Sequence, residues 1–259
     1  MSRTEMAGCD LGGRGVLVTR PAAQADGLCT LIAEAGGRPI RLPTIEIVPP
    51  VDPAPARALL RADWDLLYFV SVNAVEQALA LVPAAHWPRA ARIAAVGRAT
   101  AEALAAAGRA PDLVPSDSYD SETLLRHPAL AEMAGQRVLI VRGDGGRAVF
   151  ANALTERGAE VAFAEVYRRV CPAHDVAALL RDWDAEVGLA LATSNRVLDN
   201  LVELIGPAGR ARLLATPLAV IAERTARHAG EIGFARVEVA DRADDPGMLA
   251  ALCRLCAAR

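Results

Sequence analysis

The sequence predicts an α/β protein with mostly parallel sheets, arranged as two similar lobes. Three observations carry that expectation. Short apolar runs rich in β-branched residues alternate with longer helical patterns along the whole chain, as strands crossed over by helices do. The chain repeats itself at an almost constant offset. The polar residues shared by the two repeats all fall at or just past the ends of predicted strands.

Taken in order, Val16–Thr19 reads as a short buried strand, and Gln24–Glu34 as a helix that stops at Gly36-Gly37, glycine being the common helix stop. Strand-like runs follow at Pro39–Leu42, Ile45–Val48, Leu66–Val70, Arg92–Val96, Asp112–Val114 and Arg137–Val141. Further runs lie at Glu160–Phe163, Glu165–Cys171, Val187–Ala192, Leu218–Ile221 and Val237–Val239. Helical periodicity fills the gaps at Val75–Val82, Thr100–Ala107, Ala148–Arg157 and Val197–Ile205.

The repeat emerges when the chain is slid by 122 residues. Val16-Leu17-x-x-Arg20 falls on Val138-Leu139-x-x-Arg142, and Glu34-x-Gly36 on Glu156-x-Gly158. Asn73-x-Val75-x-x-x-Leu79 falls on Asn195-x-Val197-x-x-x-Leu201. A shift of 125 aligns Thr100-Ala101 with Thr225-Ala226. An ordered series of matches is hard to obtain by chance, even in an Ala-rich chain. Arg20, Ser71, Asn73, Thr100, Arg142, Thr193, Asn195 and Thr225 thereby share one location, the C-terminal edge of the strands. In open α/β sheets that edge binds ligands, and helix N-termini there offer N–H groups to anions. As ordinary N-caps such residues stabilise a helix by about 1 kcal/mol each, which accounts for any one of them. It accounts less well for the same set in both repeats.

Composition removes several function classes. Of 259 residues, 53% are hydrophobic and 23% charged, which excludes a disordered chain. All 28 basic residues are Arg, with no Lys; a Schiff-base lysine and the Lys of a phosphate-binding P-loop are therefore excluded. A net charge of -3 and 4% aromatics argue against a nucleic-acid surface. Met1–Gly15 lacks the apolar core of a secretory signal, and no apolar run approaches the ~18 residues of a membrane span. The expectation is a cytoplasmic, monomeric protein without nucleic-acid or membrane partners. Cys9, Cys29, Cys171, Cys253 and Cys256 are odd in number and widely spaced, which argues against a disulfide framework. Cys253-x-x-Cys256 lies in an apolar helical pattern with Leu249, Leu252 and Leu255, and reads as a helical core or surface pair. His86, His127, His174 and His228 show no metal-ligand spacing.

Gly143-x-Gly145-x-x-Ala148 follows a strand and opens a helix, as a dinucleotide fingerprint does. The matching turn Thr19–Ala23 has no such glycines, so an anion cradle ranks above a nucleotide site, with a plain Gly-rich turn close behind. A nucleotide-dependent α/β enzyme using Gly143–Ala148 and a two-lobed binding protein for an anionic small molecule remain the alternatives. Tyr167, in Glu165-Val-Tyr-Arg-Arg169, is by default a packing residue. Its functional alternative is a proton donor to a leaving group.

In order and spacing these pieces resemble uroporphyrinogen-III synthase, from Val16 to about Leu255. The matching stretches include Val16-Leu-Val-Thr-Arg-Pro21, Phe69-Val-Ser-Val-Asn-Ala-Val75, Ala95-Val-Gly-Arg-Ala-Thr-Ala101 and Tyr119-Asp-Ser-Glu122. They continue with Val141-Arg-Gly-x-x-Gly-Arg147, Val166-Tyr-Arg168, Thr193-Ser-Asn195 and Thr225-Ala226. The resemblance implies two flavodoxin-like lobes joined by a two-stranded β connector, with the active site in the cleft between them. One lobe would be discontinuous, residues 1–43 with 172–259; the other would be 50–164, with 44–49 and 165–171 as connector strands. It implies cyclisation of hydroxymethylbilane to uroporphyrinogen III, with loss of water, inversion of the last pyrrole ring, and no cofactor or metal. The substrate's eight carboxylates would meet the turns holding Ser71, Asn73, Gly97, Thr100, Ser194, Asn195 and Thr225, helped by Arg20 and Arg142. Tyr167 would assist the departing hydroxyl. Ala222 stands where the family carries Gly, which puts close backbone approach to a carboxylate there in question. Met1–Gly13 falls outside the likeness and is expected to be mobile.

Overall fold

The computed structural model describes residues 9–115, 121–146 and 148–257. Tyr119 and Asp120 of one expected motif, Arg147 of another, and Met1–Gly8 lie outside the described residues. In chain order come β1 (Gly15–Val18), α1 (Asp26–Glu34), β2 (Arg38–Arg41), β3 (Glu46–Val48), α2 (Ala54–Arg61), β4 (Leu66–Phe69) and α3 (Val72–Leu81). Next are β5 (Arg92–Ala95), α4 (Arg98–Ala106), α5 (Ser121–Leu124), β6 (Arg137–Gly143), α6 (Val149–Glu156) and β7 (Glu160–Val170). Last are α7 (Ala177–Arg181), α8 (Trp183–Glu186), β8 (Leu189–Ala192), α9 (Asn195–Ala215), β9 (Leu218–Val220), α10 (Glu223–Ile232), β10 (Val237–Val239) and α11 (Asp245–Ala257).

The chain divides into two compact units, Met1–Glu46 with Val170–Arg259, and Ile47–Arg169. The first holds the sheet β10-β9-β8-β1-β2, in which every adjacent pair is parallel. Read from the β2 edge, its strands stand in the chain order second, first, third, fourth, fifth. The second sheet runs β3-β7-β6-β4-β5, and β7, β6, β4 and β5 are parallel.

Both sheets are apolar on both faces, because helices cover both. Alternation along each strand assigns the faces. In β1, Val16 and Val18 enter one apolar cluster of the first unit, with Leu28, Ile32 and Leu252. Leu17 enters the other, with Leu198, Leu201 and Leu213. In β4, Leu67 and Phe69 pack with Trp87 and Leu104, whereas Leu66 and Tyr68 pack with Leu130 and Phe150. Each fully buried Leu or Phe contributes about 1.5–3 kcal/mol by leaving water.

Several elements differ from the sequence expectation for local reasons. Asp112–Val114 makes only an isolated bridge, Ala94 to Leu113. The two runs Glu160–Phe163 and Glu165–Cys171 are one strand, β7, whose pairing with β6 continues through Ala164 and Glu165. The helix expected to end at Ile205 does break there, at the non-helical Gly206, and a second helical stretch follows it to Ala215 within α9. Gly206 there has φ 65°, and Pro207 cannot donate to the preceding turn. The segment expected to be mobile is partly packed: Leu11 is fully buried, and its N–H donates to Ala35 O at 2.8 Å. The cysteine expectation is corrected. Cys9 and Cys253 form a disulfide, because the segment before β1 and helix α11 pack on one apolar cluster. Sequence spacing is blind to a pairing 244 residues apart. Cys29, Cys171 and Cys256 are free thiols.

Candidate functional site

A parallel sheet puts the C-terminal ends of its strands on one edge, so each unit carries one such edge. In the first unit Arg20 lies two residues past β1 and Ser194 two past β8. Ser194 Oγ caps α9 by accepting from Val197 N at 3.2 Å, and Asn195 opens that helix. Thr225 is the third residue of α10, whose N-cap, Ala222, has no side chain able to accept. Ala222 has extended backbone, φ -154°, which any residue adopts; its carbonyl accepts from Thr225 N at 2.9 Å.

In the second unit Ser71 caps α3, accepting from Ala74 N at 3.1 Å. Asn73 is the second residue of that helix, which thus begins before the Val75 expected from periodicity. Gly97 is the N-cap of α4, and Thr100, 3% exposed, its third residue. Arg142 is the penultimate residue of β6. The structure thus gathers Arg20, Ser194, Asn195 and Thr225 on the edge of one unit, and Ser71, Asn73, Gly97, Thr100 and Arg142 on that of the other.

One property marks these residues out. Among the described residues, four buried side-chain polar atoms have no hydrogen-bond partner: Arg20 Nε, Arg142 Nε, Asn195 Oδ1 and Thr225 Oγ1. All four belong to residues selected from the sequence for anion binding. An unsatisfied buried polar group costs about 1–3 kcal/mol and calls for an explanation. A fold that left such groups at random would not collect them at the strand-end edges.

The two repeat-related arginines share a second feature. Each is held by a carboxylate of its own unit, Arg20 by Asp245 at the start of α11, and Arg142 by Glu165, 3.1 Å away. Asp244 supports the first pair, since its Oδ1 accepts from Gly247 N at 2.8 Å in the first turn of α11. Arg242, and then that N–H, hold the Asp244 carboxyl below the usual carboxylate range. The Arg142 guanidinium also lies over the Phe163 ring, 4.1 Å from its centroid.

Tyr167 is fully buried. Its phenolic oxygen accepts from Arg169 Nη2 at 2.7 Å and lies 3.4 Å from Ser71 Oγ. The loop after β6 clamps the strand around it: Asp144 N donates to Tyr167 O at 2.8 Å, and Asp144 Oδ1 accepts from Arg169 N at 2.9 Å. Gly143 has a direct steric cause here. A Cβ at this position would stand 2.3 Å from Tyr167 Cε2. The fingerprint-like glycine therefore makes room for an aromatic ring, and the loop presents a carboxylate, the wrong sign for a phosphate cradle. Asp245, Glu165, Asp144 and Arg169 escape sequence reading because their partners are set by packing. Gly143 alone left a signal, and its sequence pattern pointed to a different cause.

Comparison with known proteins bears on what this edge serves. The family model described as "Uroporphyrinogen-III synthase HemD" matches residues 26–250. Uroporphyrinogen-III synthase of Escherichia coli (strain K12) is 37% identical over 243 residues, covering 92% of this chain and 99% of that protein. The enzyme of that name from Synechococcus elongatus is 34% identical, covering 90% and 92%. Among solved structures, a mutant uroporphyrinogen III synthase from Thermus thermophilus shares the fold with TM-score 0.62 at 19% identity, covering 95% of this chain and 100% of that one. The Helicobacter pylori uroporphyrinogen-III synthetase gives 0.57 at 16%, covering 93% and 99%.

Proposed function

The chain belongs to the uroporphyrinogen-III synthase family, and we propose from that premise how its strand-end edges act on hydroxymethylbilane. The reaction closes the linear tetrapyrrole to uroporphyrinogen III. The hydroxyl of the terminal hydroxymethyl group leaves with a proton as water, the pyrrole nitrogen supplying the electron pair, and its methylene carbon stays behind as the electrophilic end of an azafulvene. The substituted carbon of the last ring attacks this centre, giving a spiro intermediate. That intermediate fragments and recloses with the ring inverted. Water is the sole by-product, and no redox equivalent is consumed. A nucleophile stronger than the substrate's own pyrroles is unnecessary. The demand on the protein is orientation, because the uninverted closure competes, and orientation of a reacting chain is worth several kcal/mol.

In this reading Arg20, Ser194, Asn195 and Thr225 on one edge, and Ser71, Asn73, Gly97, Thr100 and Arg142 on the other, bind substrate carboxylates. Each unit is then one flavodoxin-like lobe, its α/β edge used as such folds use theirs. The observation that carries the site is the set of four orphaned buried polar atoms at these edges. A carboxylate satisfies Nε–H of either arginine, and accepts from the Thr225 hydroxyl. The Asn195 amide meets it after a flip of the side chain. Tyr167 sits behind this row, sealed from solvent. Its hydroxyl reaches a departing group only after a rearrangement.

The deciding experiment supplies freshly generated hydroxymethylbilane without cofactor and separates uroporphyrinogen I from III. Type III above the spontaneous background is expected. Type I alone, at the spontaneous rate, rejects the proposal. A stabilisation by NAD in a thermal melt would favour a nucleotide site at Gly143–Ala148 instead.

A further inference from the structure

We propose that Arg169 is a substrate-carboxylate ligand of this enzyme and that Tyr167 is its positioning residue. The assignment rests on the carboxylate-binding reading of the strand-end edge given above.

The argument begins with the strand. Tyr167 and Arg169 are two residues apart on β7, so their side chains leave the same face of the sheet. The face is crowded on the Tyr167 side. The ring belongs to the apolar cluster with Phe69, Val75 and Val141, is fully buried, and fills the space that a side chain at position 143 would need. A ring held on every side has one orientation, and its hydroxyl one position.

Arg169 differs in every one of these respects. It is half-buried, beyond the last β6 residue paired with β7, Gly143, which faces Tyr167. Its guanidinium carbon lies 4.9 Å from the centroid of the Tyr167 ring, and its Nη2 donates to the phenolic oxygen at 2.7 Å. Its backbone N–H is fixed by Asp144 Oδ1 at 2.9 Å. A long side chain that ordinarily loses rotamer freedom when it is ordered is thus ordered before any ligand arrives. The hydroxyl of Tyr167 also lies 3.4 Å from Ser71 Oγ, the cap of α3. One polar chain therefore runs from the N-terminus of α3 through the phenol to the guanidinium. The guanidinium lies at the strand-end edge, and the phenol is buried.

The chemistry follows from the charges. A guanidinium offers a carboxylate a planar pair of N–H donors, and the substrate class is a polycarboxylate. The phenolic oxygen, accepting from Arg169, sets the plane of that fork. The sealed phenol touches substrate nowhere in this conformation, so removing its hydroxyl acts through Arg169. This divides the roles differently from a direct proton transfer by Tyr167, and the two divisions make opposite kinetic predictions.

The test uses the full-length protein and freshly generated hydroxymethylbilane, with KM, kcat and the type I to type III ratio read for Arg169→Gln, Arg169→Lys, Tyr167→Phe and the Arg169→Gln/Tyr167→Phe double variant. Arg169→Gln is expected to raise KM roughly ten- to hundred-fold, the range for a hydrogen bond to a charged group, with kcat within about three-fold. Arg169→Lys keeps the charge without the fork, and is expected between Arg169→Gln and wild type. Tyr167→Phe is expected to raise KM in the wild-type background and to add nothing in the Arg169→Gln background, the non-additivity of residues that act as a unit. An unchanged KM in Arg169→Gln overturns the assignment. So does a kcat loss from Tyr167→Phe of equal size in both backgrounds, which would make the phenol the acting group. If Arg169→Gln does not fold, Arg169→Lys decides: KM raised at constant kcat supports the proposal, and unchanged KM overturns it. Type III product from wild type with an Arg169 variant of unchanged KM rejects this assignment alone. Absence of type III from wild type rejects the proposed function and this assignment together.

Discussion

Thr225 is a fully buried hydroxyl without a partner, in the first turn of a helix that has no side-chain cap. Replacing it with Val keeps the shape and removes the unsatisfied oxygen. Thr225→Val is expected to raise stability by about 1 kcal/mol, from the lower end of the penalty for an unpaired polar group, while raising KM for hydroxymethylbilane. Thermal melts and steady-state kinetics on one preparation check both signs; a variant that loses both stability and affinity would make Thr225 a packing residue only. The arginines divide in the same manner. Arg20→Ala and Arg142→Ala remove guanidinium groups with an orphaned Nε, and are expected to raise KM at least ten-fold. Arg57 is exposed, and Arg57→Ala serves as the background of an Arg-rich chain. Equal KM values across the three variants would return Arg20 and Arg142 to that background. Arg254 is a poorer reference, because it holds Glu238 and Asp241 with its guanidinium and reaches Val239 O as well.

At the scale of elements, the helices that carry site residues need anchoring as well as caps. Helix α10 leans on α9 through His228, whose Nε2 lies 2.6 Å from Asp199 Oδ1. That hydrogen bond first, and Glu231 after it, raise the His228 pKa above its ordinary 6.5. A raised pKa in the folded state stabilises while the imidazole is charged. The contribution is complete below about pH 6.5, the unfolded value, and is lost as pH rises through the folded value. His228→Gln is therefore expected to lower the Tm at pH 5.5 and to leave it nearly unchanged at pH 9. The pair is partly exposed, so the effect belongs to the range of surface ion pairs, up to about 1 kcal/mol. A Tm deficit of the same size at both pH values would assign His228 to packing. The same scale shows where periodicity was informative. Ser71 before α3 and Ser194 before α9 were legible because a cap is a local device, read within four residues. The second helical stretch of α9 was not, because it follows the break at Gly206-Pro207 and is held by packing of Leu213 into the apolar cluster with Leu201 and Ile205.

At the scale of the whole molecule, the first unit takes its chain from both ends of the sequence, and a disulfide ties those ends at Cys9 and Cys253. A cross-link closing so long a loop stabilises mainly by restricting the unfolded chain, by about 2–5 kcal/mol. Dithiothreitol is expected to lower the Tm of the wild-type protein and to leave that of Cys9→Ser unchanged, with the two converging under reducing conditions. If Cys9→Ser melts with the oxidised wild type, the bridge contributes nothing. Turnover is expected to survive reduction, since neither cysteine lies on a strand-end edge.

The sequence by itself determined the alternation of strands and helices, the repeat that places Arg20 with Arg142 and Asn73 with Asn195, and the family. These are short-range or ordered signals: period-two and period-3.6 apolar patterns, caps next to the helices they start, and motifs in a fixed order. Tertiary structure alone decided which carboxylate holds each arginine, which thiols meet, and that Tyr167 is sealed behind Arg169. Arg20 and Asp245 are 225 residues apart and Cys9 and Cys253 are 244 apart. No local pattern encodes such pairs, because they arise where sheets and helices pack. Gly143 shows the limit most plainly. Its sequence context matched a phosphate loop, yet its cause is the ring of a tyrosine 24 residues further on, brought against it by strand pairing between β6 and β7.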